Sequence, residues 1–205
     1  MKPPIIILSF FVVVAICMAS CGPEQVKPDP NEQPEPRPMS VPVTNKMSHE
    51  EQIKRGDYLV GIMGCNDCHT PKVMTEQGPA PDFNRMLSGH PADEKIAPIA
   101  NKSILRDYAL FNMSLTAAVG PWGTSYAANL TPDETGLGNW NLDQFEKALK
   151  HGKSKGLDNG RMLLPPMPWQ NYSLLSNDDL AAIWAYLQSI KPINNVVPAP
   201  VPPSN

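Results

Sequence analysis

The pentapeptide Cys65-Asn66-Asp67-Cys68-His69 constrains this chain more than any other stretch, because the remaining cysteines, Cys17 and Cys21, both fall in an apolar N-terminal segment. Two cysteines cannot build a disulfide framework. A structural zinc ion asks for four protein ligands, and Cys65, Cys68 and His69 supply it only if His49, His90 or His151 converges on them. A thioredoxin-like dithiol sits between a strand and a helix of a βαβ unit, a pattern the sequence does not show. The third chemistry fits the spacing. Two thiols one helical turn apart can add to the two vinyl groups of one haem, and the next residue then offers its imidazole to the iron. A single motif of this kind predicts one haem c, covalently attached through Cys65 and Cys68, with His69 as an axial ligand.

The N-terminus points to export. Lys2 precedes the apolar run Ile5 to Ile16, which has the length of a signal-peptide core and is short for a membrane-spanning helix. Ala19 and Ser20 stand directly before Cys21, which resembles a bacterial lipoprotein processing box, so Cys21 is the expected lipidation site. Seven prolines between Pro23 and Pro42 and five between Pro192 and Pro203 mark two flanks that cannot be helical. The expected organisation is a signal peptide over 1–20, a lipidated tether over 21–46, a haem domain over 47–192 and a proline-rich tail over 193–205. This places the domain in the bacterial cell envelope, on the periplasmic side, held to a membrane by its lipid anchor. A net charge of −3 offers no basic face for a nucleic-acid partner.

Helical patterning flanks the motif. Ser48 followed by Glu51 is a capping-box signature, and Ile53, Leu59, Val60 and Met63 then fall near one face of a helix that delivers the chain to Cys65. A middle helix is expected from Asn141 to Lys150, with Leu142, Phe145 and Leu149 inward and Gly152 just past its end. The last helix starts behind Ser176, with Asp178 and Asp179 in its first turn. It carries Leu180, Ile183, Trp184, Leu187 and Ile190 on its apolar face and stops at Pro192.

A helix entering C-x-x-C-H, a second midway and a last one reading IWAYLQSI together resemble the class I cytochrome c fold. The resemblance implies an all-α, cytochrome c-like domain around one haem, with disordered proline-rich flanks and a first-to-last helix crossing at Gly56 and Tyr186. A more specific resemblance runs from about residue 56 to 190. Asn129-Leu-Thr-Pro-Asp133, Thr135-Gly-Leu-Gly138 with Trp140, and Leu164-Pro-Pro-Met-Pro-Trp169 look like the cytochrome c subunits of membrane-bound alcohol and gluconate dehydrogenases. Those subunits have three haem motifs and this chain has one, so a relay within the chain is not implied.

The resemblance puts the sixth iron ligand at Met167, inside the stiff Pro165-Pro166-Met167-Pro168 segment. Met162 is the neighbouring alternative, and His90 or His151 would replace a methionine in a low-potential haem. Gly78-Pro79 resembles the loop whose carbonyl orients the axial histidine, and Tyr126, Asn129, Trp140 and Trp169 are candidate donors to haem propionates. With both axial positions held by protein, the expected function is electron transfer between redox partners such as a dehydrogenase or a terminal oxidase, without catalysis by this chain itself. A haem enzyme or gas sensor, peroxidase-like, with an open or weakly held sixth position is the alternative.

Overall fold

The computed structural model describes residues 46–203. The expectations for the signal peptide, for Cys21 and for the tether up to Asn45 lie outside the described residues. Helix α1 spans His49–Ile62 and opens with the expected box: Ser48 Oγ accepts from Glu51 N–H at 3.3 Å while the Glu51 carboxylate accepts from Ser48 N–H at 2.8 Å. Gly64, in the left-handed region at φ 71°, turns the chain into the short helix α2, Cys65–His69. Helix α3 covers Leu142–His151, with Asn141 and Gln144 as a second capping box and left-handed Gly152 as its stop. Helices α4 (Trp169–Tyr172) and α5 (Asn177–Ser189) complete the helical part.

The longest helix contact is α1 on α5, and one position makes it possible. A side chain at Gly56 would run into the Ala182 carbonyl and come within 2.7 Å of Tyr186 Cβ, so only glycine lets the two backbones approach this closely. Around the crossing, Leu59, Val60, Leu87, Leu137, Phe145, Leu149, Leu180, Ile183 and Leu187 form the buried core. Phe145 stacks tilted on Trp184 with ring centroids 5.3 Å apart, joining α3 to α5. Leu142, expected inward, lies at the exposed start of α3. Gly56→Ala is expected to wedge the crossing apart and destabilise the fold by about 1–3 kcal/mol. Thermal denaturation should show the loss, whereas Gly61→Ala, which meets no neighbour, should cost nothing and gain helix propensity.

The expectation of an all-α fold is overturned by two small antiparallel sheets. Strands β1 (Lys72–Thr75) and β2 (Gly78–Pro81) form a hairpin directly after α2. Strands β3 (Leu110–Phe111), β4 (Ala117–Gly120) and β5 (Gly123–Tyr126) form the second sheet, with the turn Gly120-Pro121-Trp122-Gly123 between its last two strands. Gly123 there has φ 94°, a backbone that favours glycine. These strands are two to four residues long, and β2 and β4 consist almost wholly of Gly, Ala and Pro, so they are too short and too uniform to show the alternation from which a strand can be read.

The C-terminal flank also departs from expectation. It packs on the domain instead of trailing free: Thr124 and Val201 exchange backbone hydrogen bonds at 2.8 and 3.0 Å, and Asn195 is bonded through both its backbone and its side chain. Proline denies the tail a helix, but the backbone groups of Ile193, Asn195 and Val201 still find partners.

Candidate haem site

The CNDCH helix is held at both ends. At its start Cys65 packs against the main core, together with Met63, Trp140, Met167 and Tyr172. At its end the Thr70 hydroxyl donates to Asn66 Oδ1 at 3.0 Å and accepts from Leu87 N–H at 3.0 Å. Lys72 Nζ donates to the carbonyls of Asp67 at 2.8 Å and Thr70 at 2.6 Å, capping the helix C-terminus with a cation whose pKa is lowered by burial.

His69 is buried, and its Nδ1 lies 2.7 Å from the Ala128 carbonyl. A carbonyl only accepts, so Nδ1 carries the proton and Nε2 keeps its lone pair. Nε2 has no hydrogen-bond partner among the described residues. Burial lowers the His69 pKa, partly opposed by the bond to Ala128, and the ring is therefore neutral. A neutral imidazole fixed through Nδ1 with a free Nε2 is the form that binds a metal. Burial also pushes the Cys65 thiol up to about 11 and raises that of Cys68, aided by the Asp67 carboxylate. Both cysteines are free, and such thiols stay protonated, unlike the low-pKa pair of a redox dithiol. Among the described residues no group of three or more His, Cys, Asp or Glu comes together to hold a metal, so the zinc arrangement does not assemble. The residues present fit a haem bound through two thioethers and one imidazole.

Gly78-Pro79 does not orient His69. It lies in strand β2, paired with Met74 and Thr75, and Ala128 takes that place. A backbone carbonyl is offered by every residue, so no sequence signal singles out Ala128. Lys72 had a signal, a cation three residues after the histidine at a helix C-terminus.

Met167 is half-buried and packs against the same hydrophobic cluster as Cys65. Its loop is latched from the second sheet, where the Ser125 hydroxyl donates to the Pro165 carbonyl at 2.6 Å. Met162 is 42% exposed and sits in a bridge to Lys153, with its methyl group against Gly152. His90 is fully buried with both ring nitrogens occupied: Nε2 donates to the Glu94 carbonyl at 3.1 Å, and Nδ1 accepts from Thr116 Oγ1 at 2.9 Å. Its ring also stacks on Tyr126 at 4.8 Å. It has no lone pair left for a metal, and His151 lies exposed at the end of α3. Asn129 is likewise committed, donating to Thr135 Oγ1 and the Ile193 carbonyl and accepting from Thr131 N–H and Oγ1. It is a structural hub with no donor left for a propionate. Trp140 packs against the core and Trp169 against Gly152, and the indole N–H of each has no partner among the described residues.

The chemistry of these residues suits a haem, and comparison with known proteins gives the chain's relatives. The chain is homologous to the cytochrome c subunits of gluconate, fructose and alcohol dehydrogenases, at modest identity over about 70% of its length. It is 29% identical over 153 residues to the gluconate 2-dehydrogenase cytochrome c subunit of Pantoea cypripedii, covering 74% of this chain and 26% of that one. It is 31% identical to the fructose dehydrogenase cytochrome subunit of Gluconobacter japonicus over 74% of this chain and 24% of the relative. The cytochrome c subunit of the quinone-dependent alcohol dehydrogenase of Gluconobacter oxydans is 32% identical over 146 residues, 70% of this chain and 23% of the relative. The chain thus spans about a quarter of the length of the curated relatives it matches. No family model matches.

Proposed function

We propose that this chain is a single-haem c-type cytochrome that passes one electron at a time between redox proteins. One observation carries the reading: His69 is buried beside two protonated, free cysteines, with Nδ1 fixed on a carbonyl and Nε2 left available. Cys65 and Cys68 would hold the haem covalently, with His69 and Met167 as the axial ligands. The bound haem would supply a reversible one-electron couple. The protein's own residues keep the imidazole neutral and oriented, and Met167, in a loop latched by Ser125, would supply the second ligand. Trp140 and Trp169 retain indole N–H groups that suit carboxylates at the haem edge.

The alternative, an enzyme or sensor with an open sixth position, separates from this reading by one measurement. The optical spectrum of the ferrous protein is expected to stay unchanged under carbon monoxide if His69 and Met167 both bind the iron. A prompt spectral change would transfer the chain to the other class.

The relatives are subunits of dehydrogenases by name, which supports a dehydrogenase as electron donor, with a terminal oxidase as another class of partner. Anchoring through a lipid on Cys21 rests on the small residues before that cysteine and the proline-rich stretch after it, and puts the domain on the periplasmic side of a bacterial membrane. Cys21→Ser is expected to block lipidation and release the protein. A secreted form beginning after Gly22 should be soluble and still red. Retention of that form in the membrane fraction would count against Cys21 as the anchor.

A further inference from the structure

Two backbone groups fix His69, and neither belongs to a helix. Gly89 N–H donates to the His69 carbonyl at 2.8 Å, and the Ala128 carbonyl receives Nδ1–H at 2.7 Å. The two segments are tied to each other, His90 N–H to the Ala127 carbonyl at 2.9 Å and Leu130 N–H to the Leu87 carbonyl at 2.8 Å. Both are also tied to the C-terminal tail. Asn195 uses its whole side-chain amide on the first: Nδ2 donates to the carbonyls of Ser88 at 2.7 Å and His90 at 2.8 Å, and Oδ1 accepts from Ala92 N–H at 2.9 Å. Ile193 and the Asn195 backbone serve the second. Asn129, next to Ala128, donates to the Ile193 carbonyl at 2.8 Å, and Asn195 N–H donates to Thr135 Oγ1 at 2.9 Å.

We infer that Asn195 is a positioning residue for the axial histidine: it clamps the 88–92 segment to the Asn129 hub, and through them fixes the carbonyl that holds His69 Nδ1. Only a carboxamide of this length meets the three groups, since aspartate lacks the two donors and an apolar residue lacks all three. Ser88 and His90 are buried, so their carbonyls have little water to fall back on. The inference rests on the reading of His69 as the iron ligand. A firm bond from Nδ1–H to a carbonyl raises the basicity of the imidazole and favours the ferric state. Loosening Ala128 therefore moves the reduction potential upward.

The test uses the full-length haem-loaded protein with Asn195→Ala, and reads the reduction potential together with the solvent exchange of the His69 Nδ1 proton by NMR. The expected result is a higher potential and faster exchange. Thr135→Val, which removes the acceptor shared by Asn195 N–H and Asn129 Nδ2, should shift both in the same direction. Truncation after Ala199 removes the Val201 bridge and keeps Asn195, and should lower the melting temperature alone. If Asn195→Ala and Thr135→Val lowered the melting temperature without moving potential or exchange, the tail would be structural only and the inference overturned. The ligand assignment is read separately. A wild-type protein with no haem mass on Cys65 and Cys68, or no paramagnetic shift at His69, overturns that assignment and the inference with it.

Discussion

Replacing Cys65 and Cys68 together by serine is expected to abolish covalent haem, leaving no red band on a denaturing gel and no haem mass on the polypeptide. Each thioether forms when a protonated thiol adds its S–H across a vinyl double bond, and a hydroxyl does not substitute for it. Burial keeps both thiols in that neutral form. Serine is nearly isosteric, and the end of the helix next to His69 is held by Thr70, Lys72 and Asn66, so the polypeptide should keep His69 in place even with the Cys65 core contact weakened. Either single substitution should leave one thioether and a haem that survives acid extraction. Covalent haem in the double variant would mean that attachment lies elsewhere.

The second large effect concerns Met167. Met167→Ala should remove the methionine-to-iron absorption band, lower the reduction potential and open the iron to carbon monoxide, while covalent haem persists. Met162→Ala should leave the band in place. Because Met162 is 42% exposed, its loss should cost less than the ~2–5 kcal/mol of a buried methionine. The reverse pattern would make Met162 the ligand. A wild type without the band would remove methionine ligation altogether, and with it Met167 as a proposed ligand.

Much of the site was legible because its chemistry depends on side chains at fixed spacing. CNDCH states both thiols and the imidazole in five letters, and Ser48-Glu51, Ser176 and Gly152 mark helix ends through local hydrogen bonds that any chain of this pattern makes. Gly56 was legible through the resemblance to the class I cytochrome c fold, which implies a small residue where the first and last helices cross. The carbonyl on His69 was not, since Ala128 acts through an atom that every residue owns. The occupied state of His90 was hidden for a related reason. Its partners Thr116 and Glu94 come from a turn and a sheet edge, and their convergence depends on tertiary folding. The strands escaped notice because pairs such as Lys72–Thr75 with Gly78–Pro81 are held by backbone pairing and one turn hydroxyl, Thr75, and by no apolar pattern. The tail misled because high proline content signals the lack of helix, which is true here, and says nothing about whether the remaining amides are paired.

The bond from Ser125 to the Pro165 carbonyl has a kinetic meaning for the proposed ligand. His69 and Met167 are about a hundred residues apart, and closing a free loop of that length carries an entropic cost of about (3/2)RT ln n. The latch fixes the chain two residues from Met167, so the loop still to be closed is very short. If Met167 is the ligand, a thioether that left the iron would stay at high effective concentration near it, which would favour its return over capture by an outside ligand. By this argument Ser125→Ala should leave the resting spectrum in place and instead raise the rate at which added imidazole captures the iron.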